Sequence, residues 1–108
     1  MGKYGNRKVS VNGYKFDSMR EAQRYTELLL LQRAGEISDL KLQVPFELVP
    51  KQKDSRGRVI REIRYIADFV YTENGKTVVE DAKGYKTKEY ELKKKLMKYF
   101  HNIEIKET

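Results

Sequence analysis

The chain has 108 residues, enough for one domain with a modest core and too few for separate catalytic and binding domains. It holds 23 Lys and Arg against 16 Asp and Glu, a formal charge of +7, so a polyanionic partner fits, either nucleic acid or an acidic membrane surface. With no cysteine and one histidine, His101, it offers no disulfide frame, no thiolate zinc site and little material for a Ser-His triad. The longest apolar stretch, Leu28 to Leu31, falls far short of the roughly 20 residues of a membrane span, and no signal-peptide pattern is visible, so a cytoplasmic protein is expected.

Residues 1–7 read as a basic, Gly-rich arm, either a frayed terminus or a segment that touches phosphate. Val9, Val11, Asn12-Gly13, Tyr14 and Phe16 predict a short hairpin. Ser18-Met19-Arg20-Glu21 is a capping-box pattern that opens a helix reaching about Ala34, with Gly35 placed to end it. Ala22, Tyr25, Leu28 and Leu29 form its apolar face, and Gln23, Arg24, Glu27, Gln32 and Arg33 are expected to face water or a partner. Leu42 to Val49 reads as a strand, and Pro45 places it at an edge or a bulge. The polar segment 51–58 turns the chain into a long hairpin, and its basic residues Lys51, Lys53, Arg56 and Arg58 are either a DNA-phosphate contact or an exposed loop.

Val59 to Tyr71 and Thr77 to Lys83 are predicted strands joined through Asn74-Gly75. Thr87 caps a second helix over 88–100, with Leu92, Leu96, Tyr99 and Phe100 on its expected buried side. Asn102 ends it, and Ile103 to Ile105 is read as a final strand. His101 reads as a favourable charge at the helix end. The order helix, three strands, helix, strand calls for an α/β arrangement: a mixed sheet whose last strand runs parallel to its neighbour after a helical crossover.

Charge intrudes where apolar residues should sit. Side chains alternate along a strand, so Asp81 and Lys83 share a face while Glu80 faces away, as a supporting or surface charge. Asp68 lies in the preceding strand among Ile66, Ala67, Phe69 and Val70. If Asp68 and Asp81 face the same side, two carboxylates and an ammonium converge, a set that suits a hard cation such as Mg²⁺. The competing reading is a structural Asp68–Lys83 ion pair, which leaves the second carboxylate unexplained.

Asp68, followed thirteen residues later by Asp81-Ala82-Lys83, resembles the signature of the PD-(D/E)XK nuclease superfamily, and the element order is similar to its restriction-endonuclease-like core. The wider pattern is similar to a family of small phage nuclease-like proteins: Phe16-x-Ser18-x-x-Glu21, Gln43, Ile66-Ala67-Asp68-Phe69 and Glu80-Asp81-Ala82-Lys83-Gly84. The resemblance implies a Mg²⁺- or Mn²⁺-dependent DNA endonuclease acting on branched or recombination DNA. Glu21, Asp68, Asp81 and Ala82 would hold the metal, and Lys83 would be the catalytic lysine. Gln43 either orients a water in the site or only satisfies backbone groups. Glu21 keeps a second reading as a helix cap alone. Lys86, Lys88 and Lys94 join the basic residues of segment 51–58 as DNA-binding candidates, and a homodimer in the cytoplasm of a bacterial host is expected. The alternative is a non-catalytic nucleic-acid-binding module on the same fold.

Overall fold

A computed structural model describes residues 8–108; the basic arm expected over 1–7 lies outside the described residues. Strands β1 (Val9–Val11) and β2 (Tyr14–Phe16) pair as the first hairpin, with Asn12 and Gly13 both at positive φ, the backbone of a tight I′-type turn. Helix α1 (Met19–Arg33) starts where the capping box placed it: the Ser18 hydroxyl accepts from the Glu21 N–H at 3.2 Å. Gly35, at φ 78°, carries the chain out of the helix.

Four strands form the main sheet in the order β3 (Ser38–Val49), β6 (Ile63–Glu73), β7 (Lys76–Asp81), β8 (Lys106–Glu107). The first three are antiparallel, and β8 pairs parallel with β7 after helix α2 (Lys88–His101). This is the mixed sheet that the element order called for. β3 is an edge strand, which accommodates Pro45. Beyond it the ribbon continues as β4 (Gln52–Lys53) and β5 (Val59–Ile60), whose turn is tied by the Asp54 carboxylate accepting from the N–H groups of Arg56 and Arg58, both at 2.9 Å.

Three expectations need correction. β3 begins four residues before Leu42, because a register shift between Ser38 and Lys41, with Asp39 at φ 55°, hides the period-two pattern at its start. The last strand is Lys106–Glu107; Ile105 is buried in the core, and the Ile103 N–H reaches back to the Met97 carbonyl to close α2. On α2 the buried residues are Tyr90 and Met97, with Leu96 packed beside them, whereas Leu92, Tyr99 and Phe100 are 56%, 80% and 52% exposed. Leu92 and Tyr99 each follow a buried residue by two positions, about 200° around a helix, so they point to the opposite side.

Two cores lie under the two helices. Phe16, Ala22, Tyr25, Leu28, Ile37, Phe69 and Tyr71 form one; Leu48, Tyr65, Ala67, Val79, Tyr90, Met97 and Ile105 form the other. Along β6, Tyr65 and Ala67 belong to the α2 core and Phe69 and Tyr71 to the α1 core. The exchange happens at Asp68. Opposite it on β3, between the pairs Leu42↔Phe69 and Val44↔Ala67, Gln43 has φ 52°, a left-handed backbone inside a strand.

Candidate active site

The sheet register brings the two aspartates together. Phe69 pairs with Glu80, so one step further along both strands Asp68 comes beside Asp81. Helix α1 brings in Glu21, one turn inside its N-terminus and on its buried side. Each of the three carboxylates has one oxygen engaged by a donor of the chain itself. Glu21 Oε2 accepts from Gln43 Nε2 at 3.1 Å, and Asp68 Oδ2 accepts from the Ala82 N–H at 3.0 Å. Asp81 Oδ2 accepts from the Tyr65 hydroxyl at 2.6 Å and lies 3.6 Å from Lys83 Nζ. Asp81 Oδ1 is buried and, among the described residues, has no hydrogen-bond partner.

The electrostatics follow from this crowding. Burial, the neighbouring Asp81 and then Glu21 push the Asp68 carboxyl up to about 8, against a smaller opposing effect of the Ala82 N–H. Burial, with Asp17 and Asp81, also raises Glu21. Burial and Asp81 raise the Tyr65 phenol, which keeps it a proton donor. Lys83 lies over the Tyr90 ring, 4.8 Å from its centroid, so its ammonium is held between an aromatic face and Asp81. The strand end that carries Asp81 and Lys83 is tied by Thr108, whose N–H donates to the Asp81 carbonyl and whose carbonyl accepts from the Lys83 N–H. An open cleft of about 620 Å³ runs past these groups, bounded by Asp17, Arg20, Glu21, Asp68, Lys83 and Tyr85.

The sequence-predicted residues divide clearly. Glu21, Gln43, Asp68, Asp81, Ala82 and Lys83 come together; Ala82 takes part through its N–H, as a donor to Asp68. Among the described residues no three Asp, Glu, His or Cys side chains form a complete metal cage. Asp68 and Asp81 meet directly, and Glu21 stands beside them held by Gln43. As the chemistry of a donor set, facing carboxylates with an unpartnered buried oxygen fit a hard divalent cation that retains waters.

Glu80 faces away from the cleft, as strand parity required, but it is no surface charge. It is fully buried and accepts from Arg24 Nε at 2.5 Å and Nη2 at 3.0 Å, from the Tyr71 hydroxyl at 2.7 Å and from Thr108 Oγ1 at 2.9 Å. Burial opposes its ionisation, yet these donors together hold its carboxyl below the usual range. Arg24, expected to face water, therefore turns toward the sheet. Its spacing, three after Glu21 and four before Leu28, was the legible sign of that side. Nothing in the sequence marked Tyr65 as the partner of Asp81.

The basic candidates also separate. Lys51, Lys53, Arg56 and Arg58 are exposed on and around the β4–β5 ribbon, with Arg58 Nε 3.3 Å from Asp54. Lys88 is exposed at the start of α2. Lys86 and Lys94 are both paired with Glu107, at 3.2 and 3.3 Å, which occupies them within the fold. Tyr90 packs in the core and Tyr85 is exposed at the cleft. His101 Nε2 lies 2.7 Å from the Glu47 carbonyl, joining the end of α2 to β3.

Among the described residues no helix is long and apolar enough to cross a membrane. No curated protein and no solved structure matched the chain. Over residues 1–108 the chain matches the family described as "Protein of unknown function (DUF1064)", and it belongs to that family.

Proposed function

We propose that the protein is a metal-dependent DNA endonuclease of PD-(D/E)XK type, acting on branched or recombination DNA in the cytoplasm of a phage-infected or prophage-bearing host. The observation that carries this reading is the pair Asp68 and Asp81, set side by side on adjacent strands, with Asp81 Oδ1 buried and, among the described residues, without a hydrogen-bond partner, and with Lys83 Nζ 3.6 Å from Asp81 Oδ2. A buried carboxylate oxygen without a donor is costly, and a bound cation supplies the missing partner. Mg²⁺ or Mn²⁺ held by Asp68 and Asp81, with Glu21 at the side, would lower the pKa of a bound water and polarise a phosphoryl oxygen.

The chain's own groups do the rest. Lys83 places a positive charge at the cleft, where it stabilises charge developing on a phosphodiester. Tyr65 and the Ala82 N–H fix the rotations of the two aspartates, and Gln43 fixes that of Glu21. The Ser18 hydroxyl is met by the Glu21 main-chain N–H, while the Glu21 carboxylate accepts from Gln43 and lines the cleft. Two such sites in a two-fold dimer would cut both strands of a duplex.

A second reading, a non-catalytic DNA-binding module, draws on the lack of a complete three-ligand cage among the described residues. Supercoiled, single-stranded, flap and four-way-junction DNA, each incubated with Mg²⁺, Mn²⁺ or EDTA, separate the two. Metal-dependent cutting that disappears in Asp81→Ala and in Lys83→Ala is the expected result. Tight binding without cutting on every substrate, unchanged in both variants, would establish the module instead.

A further inference from the structure

Lys83 stands on the walls of two cavities. One is the acidic cleft; the other, about 280 Å³, is bounded by Arg64, Tyr65, Lys83, Thr87, Tyr90 and Lys93. Arg64 in turn helps to bound a third space of about 470 Å³ with Lys51 and Arg61, at the foot of the β4–β5 ribbon. The three spaces are thus linked in series through shared residues, Lys83 and then Arg64. Five cations edge the path: Lys83, Lys93, Arg64, Arg61 and Lys51. Its acids beyond the cleft are Glu89, which is paired with Lys93 at 3.3 Å, and Glu62, so the path remains net positive.

A rival basic surface exists on α2, around Lys94, Lys95 and Lys98. Lys94 is paired with Glu107 and Lys98 with Glu104, and this surface shares no residue with the acidic cleft. Lys83 and Lys93 on the first path are paired as well, with Asp81 and Glu89, so continuity is what separates the two surfaces: the first joins the cleft through Lys83 and runs on to Arg64, Arg61 and Lys51, and the second does not join it.

We propose that this path is a phosphate track: the DNA strand whose phosphodiester lies at Asp68 and Asp81 continues across Lys83, past Arg64 and Lys93, to Lys51 and Arg61. The proposal rests on the nuclease reading and extends it from the reacting bond to the neighbouring phosphates. It brings in Arg61, Arg64 and Lys93, none of which is marked by the sequence motif.

The test uses the full chain and a fluorescent single-stranded DNA oligonucleotide in EDTA, with binding followed over a range of salt. Each phosphate contact on a single strand contributes about 0.7 to the slope of log affinity against log salt. The double variant Arg61→Gln/Arg64→Gln is expected to lower that slope by about 1.4. Lys95→Gln, on the rival surface, is expected to leave it unchanged. Unaltered melting temperatures show that both proteins remain folded. If the double variant binds with the wild-type slope, or if Lys95→Gln shows the same loss, the track is wrong, while metal-dependent cutting by the wild type would still stand. If the wild type neither binds nor cuts DNA, the nuclease reading falls together with the track.

Discussion

Asn at position 68 keeps the shape of the carboxyl and fixes its neutral form. Asp68 titrates at about 8 in the fold against 3.8 for the free group, so between those values the folded protein holds a proton that the unfolded chain has released. The sign follows: this contribution to stability is fully present below about 3.8, and it is lost as pH rises toward 8. One proton corresponds to a slope of at most about 1.4 kcal/mol per pH unit. Urea unfolding in EDTA across that range should show stability falling with pH in the wild type and a flatter profile in Asp68→Asn. A divalent cation at Asp68 and Asp81 must displace the same proton, so its affinity should rise about tenfold per pH unit up to about 8. In melting experiments Mg²⁺ or Mn²⁺ should raise the transition of the wild type and leave that of Asp68→Asn unmoved. Identical pH slopes in the two proteins would show that Asp68 does not hold the proton. Equal metal-induced shifts would remove the cation from this carboxylate.

Tyr65→Phe keeps the ring in the α2 core and deletes the 2.6 Å bond to Asp81, a charged acceptor; the expected cost is about 1.5–3 kcal/mol by chemical denaturation, with weaker Mn²⁺ binding in calorimetry. Arg24→Met strands the buried Glu80 charge and should cost about 3–5 kcal/mol, whereas the double change Arg24→Met/Glu80→Met should recover most of the loss, a difference read directly from a double-mutant cycle. Gln43→Gly and Gln43→Ala both remove the bond to Glu21, but only glycine is at ease at φ 52°, so Gly should be the more stable by about 1–2 kcal/mol while both cut DNA more slowly.

The sequence was most informative where structure is decided locally. Ser18 and Thr87 cap their helices, and Asn12-Gly13 and Asn74-Gly75 turn their hairpins, because each acts within a few residues of itself. Strand parity likewise put Asp81 with Lys83 and turned Glu80 away. What was hidden depends on contacts far apart in the chain. The start of β3 is masked by a bulge, and the exposed side of α2 is set by where Met97 meets the sheet. The Tyr65–Asp81 and Gln43–Glu21 bonds join residues 16 and 22 positions apart, and they exist only in this register. The left-handed backbone at Gln43 belongs to the point where β6 passes from one core to the other, which no local pattern announces.

Adjacent residues on β7 give the site its own internal control. Glu80 and Asp81 are both almost wholly buried, 0% and 1% exposed, and both carry a carboxyl group. Glu80 receives two bonds from Arg24, one from Tyr71 and one from Thr108, so its charge is fully met within the fold. Asp81 receives one bond from Tyr65 and the nearby charge of Lys83, faces another carboxyl in Asp68, and among the described residues keeps one oxygen without a donor. The fold is thus able to satisfy a buried acid at this depth and does so one residue away. The deficit at Asp81 lies where strand parity turns the side chain toward Asp68 and Lys83, and a cation shared with Asp68, displacing the proton that Asp68 otherwise holds, is the partner that would meet the orphaned oxygen and keep both acids ionised.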